Sequence, residues 1–528
     1  MERFTSWMKR IFWGCLLLFV LLNLFSFLTA TAEPLINLFD DDAYYYFTIA
    51  RNFSDTGRLT FDGVTLTNGF QPLWFLLLLP LFLVFHEPLA VLRAVGILCS
   101  LLTLLAGWLS LRFLGRYSLF PFTLGATISL YLLFSLGVTG METALVFPLV
   151  LISLRLAERF LSTKPKRRAW HTSIGLGFSL AALLLARLDA IWLVAALLGG
   201  AWLLRWRTRL KSLLVMSGIP ALALLLYLLS NLLFFGNLMP TSGTAKSLGG
   251  HLFQLNSLFL KQMTSFNDPT TGNLWVVFGL SLLVALAYLV YLLITSRKRP
   301  IGNAFLPACL ATALMLFAAY ELFITKWVLW RWYAWMLIPL SVVLFPHILE
   351  QVVEWWGGVR EYARSLSSKT WLLAVIAFLA LPIVTIRSGL WTHFQAPAFR
   401  YENFQLAQQL NRDLPPDSII AVGDRAGSFA YFFEGQVLQL EGLVGDQALL
   451  EALREDRLEA YMTRFGVDYL LTYIEPPPGY ERWELLTPLP GFTLGAQAGI
   501  SVCQENEVSR VVTRYQVLTL WRYPACPP

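Results

Sequence analysis

Charge is scarce in this sequence: only 14% of its 528 residues are Asp, Glu, Lys or Arg, against 57% apolar ones. That ratio excludes an ordinary soluble globule, and it leaves no dense basic face of the kind that binds nucleic acid. Histidine is rarer still. His86, His171, His251, His347 and His393 are scattered, so neither a His-based metal site nor a His-centred triad is supported. Of the five cysteines, Cys15, Cys99 and Cys309 lie inside apolar runs and read as small core residues. Cys503 and Cys526 fall in the C-terminal tail, where they can pair if that tail faces an oxidising compartment; their spacing leaves the pairing open.

What is abundant is long apolar sequence. A helix needs about 20 apolar residues to cross the bilayer core. Runs that qualify or nearly qualify are 11–32, 91–113, 119–137, 143–160, 170–187, 190–204, 213–234, 274–295, 303–325, 333–350 and 370–388. These predict an α-helical polytopic membrane protein of about eleven transmembrane helices. The first run continues into no small-residue cleavage site followed by a soluble domain, so it reads as an uncleaved span. From about residue 392 the composition turns mixed, giving a membrane domain over 1–391 and a soluble domain over 392–528.

Lys and Arg clusters in the short loops set the orientation. Arg3 to Arg10, Arg112 with Arg116, Lys164 to Arg168, Arg205 to Lys211, Arg297 to Arg299 and Arg360 to Lys369 all face the cytoplasm together under one condition. The short stretch Phe70–Phe85, with Pro72 and Pro80 inside it, must be re-entrant rather than crossing. The expectation is then a cytoplasmic N-terminus and an extracytoplasmic tail. The loop 33–90 and the turns near Glu142, Asp189, Lys246 and Arg331 gather on the tail's side.

The richest stretch for chemistry is Phe39-Asp40-Asp41-Asp42-Ala43-Tyr44-Tyr45-Tyr46, just past the first span. One reading is helix capping, since Asp is favoured at an N-cap and complements the dipole of a helix from about 43 to 54. Capping occupies one or two of the three carboxylates. The other reading is a general base that takes a proton from an acceptor hydroxyl.

The succession Asp41-Asp42-Ala43-Tyr44, Ala50-Arg51-Asn52, Thr56-Gly57-Arg58-Leu59 and Asn68-Gly69-Phe70-Gln71-Pro72-Leu73-Trp74 resembles the first outer loop of bacterial GT-C glycosyltransferases. It is most similar to the terminal arabinofuranosyltransferases of actinobacterial cell walls and their uncharacterised relatives. The resemblance implies a GT-C fold in a bacterial plasma membrane, with juxtamembrane helices in the 33–90 loop and an outer-leaflet cavity for a polyprenyl-phosphate sugar donor. It implies Asp41 as catalytic base with Asp42 its neighbour; Asp40 is an extra acid, so which carboxylate acts stays open.

Thr139-Gly140-Met141-Glu142-Thr143 resembles a Gly-Leu-Glu-Thr-type turn of the same group, making Glu142 a second acid near the acceptor or a metal, or simply a helix-starting Glu. Asp41, Asp42 and Glu142 are the metal-ligand candidates if a divalent cation is used. Ala186-Arg187-Leu188-Asp189 is similar to a Thr-Arg-Pro-Glu-type turn, or is a local ion pair. Phe235-Gly236-Asn237-Leu238-Met239-Pro240-Thr241 ending in Lys246 is similar to a Gly-Asn-x-x-Pro-Asn segment, with Thr241 in the Asn position. A lipid phosphate needs cations, and Lys246, Lys326 and Arg331 are the candidates, Arg for its bidentate fork. Arg331 lies in an aromatic belt from Trp327 to Tyr333 that also serves as interfacial anchor.

In the tail, a helix 399–411, strands 418–422, 436–440 and 467–473, and a helical stretch 446–465 predict an open α/β sheet. Gly423-Asp424-Arg425-Ala426-Gly427 lacks the spacing of a dinucleotide loop. The expected activity is inverting transfer of a sugar to a hydroxyl of a cell-envelope glycan, lipid or protein, with no nucleic-acid partner. The competing readings are a lipid-linked oligosaccharide transporter, which would place ionisable groups near the bilayer midplane, and an inactive relative acting in assembly.

Overall fold

A computed structural model describes residues 2–162, 167–248, 255–264, 274–295, 304–325, 327–355, 399–473, 475–485, 500–524 and 526. The first span is α1 (Glu2–Thr29), 28 residues long and therefore about 42 Å at 1.5 Å per residue. Three short helices follow it: α2 (Ala32–Asn37), α3 (Asp41–Thr56) and α4 (Pro72–Val84). At 13 residues α4 extends about 20 Å, well short of a hydrocarbon core about 30 Å thick. Pro72 opens it, where a missing N–H costs nothing. It occupies the stretch that the loop charges require not to cross.

The bundle continues through α5 (Pro88–Leu114), α6 (Leu119–Leu136), α7 (Thr143–Ser162), α8 (Arg167–Ala186), α9 (Ile191–Phe235), α10 (Thr241–Ala245), α11 (Ser257–Thr264), α12 (Leu274–Thr295) and α13 (Phe305–Phe323), and ends in a helical segment Arg331–Trp355. Among the described residues seven helices are long and apolar enough to cross a membrane. Ten of the eleven apolar runs fall on described helices; 370–388 lies outside the described residues, as does the expected boundary near 392. The runs 190–204 and 213–234 both fall within α9, which is two helices meeting at a kink at Arg209 (φ −141°, ψ 33°). The kink falls inside the basic stretch Arg205-Trp-Arg-Thr-Arg-Leu-Lys211 that separates the two runs.

In the tail, the helix Phe399–Asp413 precedes β1 (Ile419–Val422), the helix Ala426–Phe432, β2 (Gln436–Gln439), the helices Gln447–Arg454 and Leu458–Phe465, and β3 (Tyr469–Thr472). After them come β4 (Arg482–Leu485), β5 (Ile500–Cys503), β6 (Glu507–Val512) and β7 (Val517–Arg522). The main sheet has the order β2-β1-β3-β7-β6. The first three strands are parallel and the last two antiparallel. The sequence reading found the parallel half and missed the β6–β7 hairpin. Cys503 and Cys526 are disulfide-bonded.

The tail sits on α3. Tyr44 packs on Tyr431 and Phe432 at ring-centroid distances of 5.5 and 6.0 Å, and Phe47 on Tyr431 at 5.9 Å. Aromatic pairs at such separations add to the apolar area they bury. Part of the tyrosine-rich face beside the acidic motif is therefore a docking surface for the tail.

Candidate active site

The three adjacent carboxylates do not cap their own helix; two are engaged elsewhere and the third is left without a partner. Asp40 occupies the N-cap position of α3 with no side-chain capping bond. It instead faces Arg331 and, at 3.6 Å, Arg400. Asp41 accepts from the Gly427 N–H at 3.0 Å, the Ser428 N–H at 2.9 Å and the Ser428 hydroxyl, so both its oxygens are held by the tail. Asp42 is half-buried and makes no hydrogen bond or ion pair to any described residue. Burial, then the charges of Asp41, Asp40 and Asp424, push its carboxyl up to about 8 against the opposing pull of Lys246.

Lys246 thus lies close enough to Asp42 for their charges to act on one another. Its ammonium donates to the Tyr333 hydroxyl and stands 5.2 Å from that ring's centroid. Burial disfavours its charge, but Tyr333 and Asp42 outweigh this and hold the ammonium above its usual range. From the tail, Asp424 and Glu441 join the same neighbourhood. Burial and then Asp424, Asp42 and Asp41 hold the Glu441 carboxyl well above the usual range, while Gln439 donates to it at 2.6 Å. Burial and Asp41 also raise Asp424, against Arg425. Sequence reasoning passed over Glu441 and weighed Asp424 only as part of a dinucleotide loop whose spacing did not fit. The available signal was topological: each follows the carboxyl end of a parallel strand, β1 and β2, where open α/β sheets place ligand sites.

Glu142 is engaged in a different way. It pairs with Arg187 at 2.7 Å, both side chains being 4% exposed, and accepts from Tyr46 at 3.0 Å. Arg187 also grips Asp189 at 2.8 Å and lies 4.6 Å from the Tyr333 centroid. Tyr46 is four residues beyond Asp42 and so on the same face of α3. The network therefore fixes the rotation of α3 and, through Tyr333, the place of Lys246. With Glu142 and Asp41 both engaged, Asp41, Asp42 and Glu142 do not form a metal-ligand set as they stand. Among the described residues no group of three or more His, Cys, Asp and Glu side chains could hold a metal ion. Glu142→Gln keeps the hydrogen-bonding shape but removes the charge facing Arg187. It is expected to cost about 1–3 kcal/mol, read as a lower Tm in detergent, with the pH dependence of any activity unmoved.

The remaining motif residues build the scaffold. Asn52 donates to the carbonyls of Thr60 and Phe61 at 3.1 and 3.0 Å, holding the end of α3 to the following loop. Arg51 donates to the Tyr431 carbonyl at 2.6 Å, another tail contact. Asn68 accepts from the Thr241 N–H at 2.9 Å, tying the Asn-Gly-Phe segment to the loop that leads to Lys246. Trp74 donates to the Gly140 carbonyl at 3.2 Å, and the Asp40 N–H donates to the Thr139 carbonyl at 2.9 Å, which seats the Glu142 turn under the acidic motif. Of the phosphate candidates, Lys246 acts on Asp42 and Arg331 pairs with Asp40, whereas Lys326 lies outside the described residues.

No family model and no curated protein matches this sequence. Solved structures do match. ArnT from Cupriavidus metallidurans bound to undecaprenyl phosphate aligns with a TM-score of 0.52 at 12% identity, over 99% of this chain and 99% of that one. The apo form of the same protein aligns at 0.51 and 12% identity, over 98% and 99% of the two chains. The archaeal oligosaccharyltransferase AglB from Archaeoglobus fulgidus, in complex with an inhibitory peptide and a dolichol-phosphate, aligns at 0.50 and 12% identity, over 89% of this chain and 70% of that one. Identity this low speaks for architecture alone, and the architecture is plain: a multi-pass helical membrane domain carrying a small C-terminal sheet domain, the GT-C fold.

Proposed function

We propose that this chain is a glycosyltransferase that moves a sugar, hexosyl or pentosyl, from a polyprenyl-phosphate donor to a hydroxyl of a cell-envelope glycan, lipid or protein. The observation that carries the reading is Asp42, a half-buried carboxylate left without a hydrogen-bond partner, beside Lys246 and between the bundle and the tail. Asp41 and Asp42 remain the acids of the motif, and their surroundings favour a division of labour in which Asp41 positions the tail and Asp42 acts as base.

In this reaction Asp42 takes the proton of the acceptor hydroxyl. The acceptor oxygen forms its bond to the anomeric carbon as the bond from that carbon to the phosphate oxygen breaks, and the electron pair leaves on the phosphate. A single displacement of this kind inverts the anomeric centre. Lys246 and Arg331 meet the charge that develops on the leaving phosphate. Asp424 and Glu441 put the acceptor side of the site in the tail. Undecaprenyl phosphate in the ArnT structure and dolichol-phosphate in the AglB structure support a lipid phosphate as the donor's carrier. The arabinofuranosyl assignment rests on the outer-loop motif 41–74. The Cys503–Cys526 disulfide supports a tail outside the cytoplasm, with the N-terminus inside and the chain in a bacterial plasma membrane.

A transporter would carry its ionisable groups at mid-bilayer, whereas this cluster belongs to the outer loop and the tail. The deciding assay incubates the purified protein with radiolabelled polyprenyl-phosphate sugars and an envelope extract. Label should move to the extract with the wild type and stay on the lipid with Asp42→Asn. If every donor stays intact while a lipid-linked glycan crosses proteoliposomes equally with both proteins, the transferase reading is lost.

A further inference from the structure

Two arginines share one carboxylate at the edge of the site. Arg331, from the bundle, donates to Asp40 through Nε at 3.3 Å and through a second guanidinium nitrogen. Arg400, from the first turn of the tail helix Phe399–Asp413, reaches the same carboxylate at 3.6 Å. The next acid, Asp41, is taken by the backbone and hydroxyl at Gly427 and Ser428. Burial, with the neighbouring Arg331, disfavours the Arg400 charge by more than Asp40 and Asp41 together favour it, so this cation is under-compensated where it sits.

The second cation is held in place. Arg400 is only 12% exposed, its Nη1 is 3.4 Å from the Asn37 carbonyl, and its guanidinium lies 4.8 Å from the Phe399 ring centroid. Its Nε is buried with no hydrogen-bond partner. Docking alone does not call for such a group, since the neighbouring Tyr401 N–H already ties this helix to the Asn37 side chain at 3.2 Å. A buried cationic N–H without an acceptor, next to a second cation, is unfavourable in the free protein and is relieved by an anion. Paired guanidinium forks suit the oxygens of a phosphate.

We propose that Arg400 is the second cation for the donor's phosphate, acting with Arg331, so that the tail completes the donor site and Asp40 is the resting counter-ion of both arginines. This rests on the reading of the chain as a polyprenyl-phosphate-dependent transferase. The phosphate would compete with Asp40 for the two guanidinium groups, and removing the carboxylate's charge should help it bind.

The test is equilibrium binding of undecaprenyl phosphate to the full chain in nanodiscs, with undecaprenol as the uncharged control. The wild type should prefer the phosphate. Arg400→Gln should weaken phosphate binding roughly tenfold or more, as expected for losing a charged hydrogen bond, and leave undecaprenol binding unmoved. Asp40→Asn should tighten phosphate binding several-fold. That gain separates the proposal from a merely structural clamp, whose loss would loosen the tail and weaken binding, and it decides the matter even if Arg400→Gln does not fold. Phosphate binding by Arg400→Gln equal to wild type, or weaker binding by Asp40→Asn, overturns the inference and leaves the transferase reading standing. A wild type that binds undecaprenol as well as its phosphate overturns both.

Discussion

Asp42→Asn is expected to leave the protein folded and able to bind lipid phosphate while lowering sugar transfer by about 10²–10⁴-fold, the usual worth of a general base. The variant keeps the size of the side chain and removes only its ability to take a proton. The pH dependence sharpens the test. A base works in its ionised form, and burial together with Asp41, Asp40 and Asp424 holds this carboxyl near 8. Transfer by the wild type should therefore rise about tenfold per pH unit below 8 and level off above it. Stability should move the other way. Because the folded-state pKa is raised, the neutral form is the one the fold favours, so the stabilisation is complete below the usual Asp range and is lost as pH rises through about 8. Asp42→Asn should accordingly melt above the wild type at alkaline pH. If Asp42→Asn transfers sugar normally while Asp41→Asn is inert with its tail still seated, the base is Asp41.

Much of this architecture is legible in the sequence because apolar run length and loop charge are local signals. The spans along α1 to α13 and the short α4 follow from counting residues against the thickness of a bilayer. The acidic motif, Glu142, Lys246 and Arg331 are legible as candidates because polar groups beside a membrane are few. Their partners are not. Asp41 is separated from Gly427 by 386 positions and Asp40 from Arg331 by 291, and no periodicity connects them. Glu441 and Arg400 were missed, and Asp424 was not linked to the motif, because a charged residue in a mixed soluble domain looks like any solvated surface. Only the docking of the tail on Tyr44 and Phe47 turns them toward the motif. The same docking explains why three consecutive aspartates are tolerated, since each meets a different set of neighbours.

Gly427→Ala offers the clearest test of that docking, because local propensity and tertiary contact predict opposite signs. Gly427 lies in the helix Ala426–Phe432, and replacing a helical glycine by alanine ordinarily stabilises by about 0.5–1 kcal/mol. Here a Cβ would fall 2.2 Å from the Asp41 carbonyl oxygen and 2.9 Å from its Oδ2, so either the tail or the start of α3 must move. Movement breaks the three bonds to the Asp41 carboxylate, each charge-assisted and worth about 1.5–3 kcal/mol, though not additively. It also shifts Asp42, the next residue of α3, and carries Asp424, Glu441 and Arg400 away from the site. We expect transfer to fall at least a hundredfold, a loss of about 2.7 kcal/mol of transition-state stabilisation, and limited proteolysis to release the tail from a bundle that stays intact. Ser428→Ala, which removes only the hydroxyl, should cost about 1 kcal/mol and leave the tail seated. A Gly427→Ala protein as protease-resistant and as active as wild type would mean that the tail's grip on Asp41 is not what assembles the site.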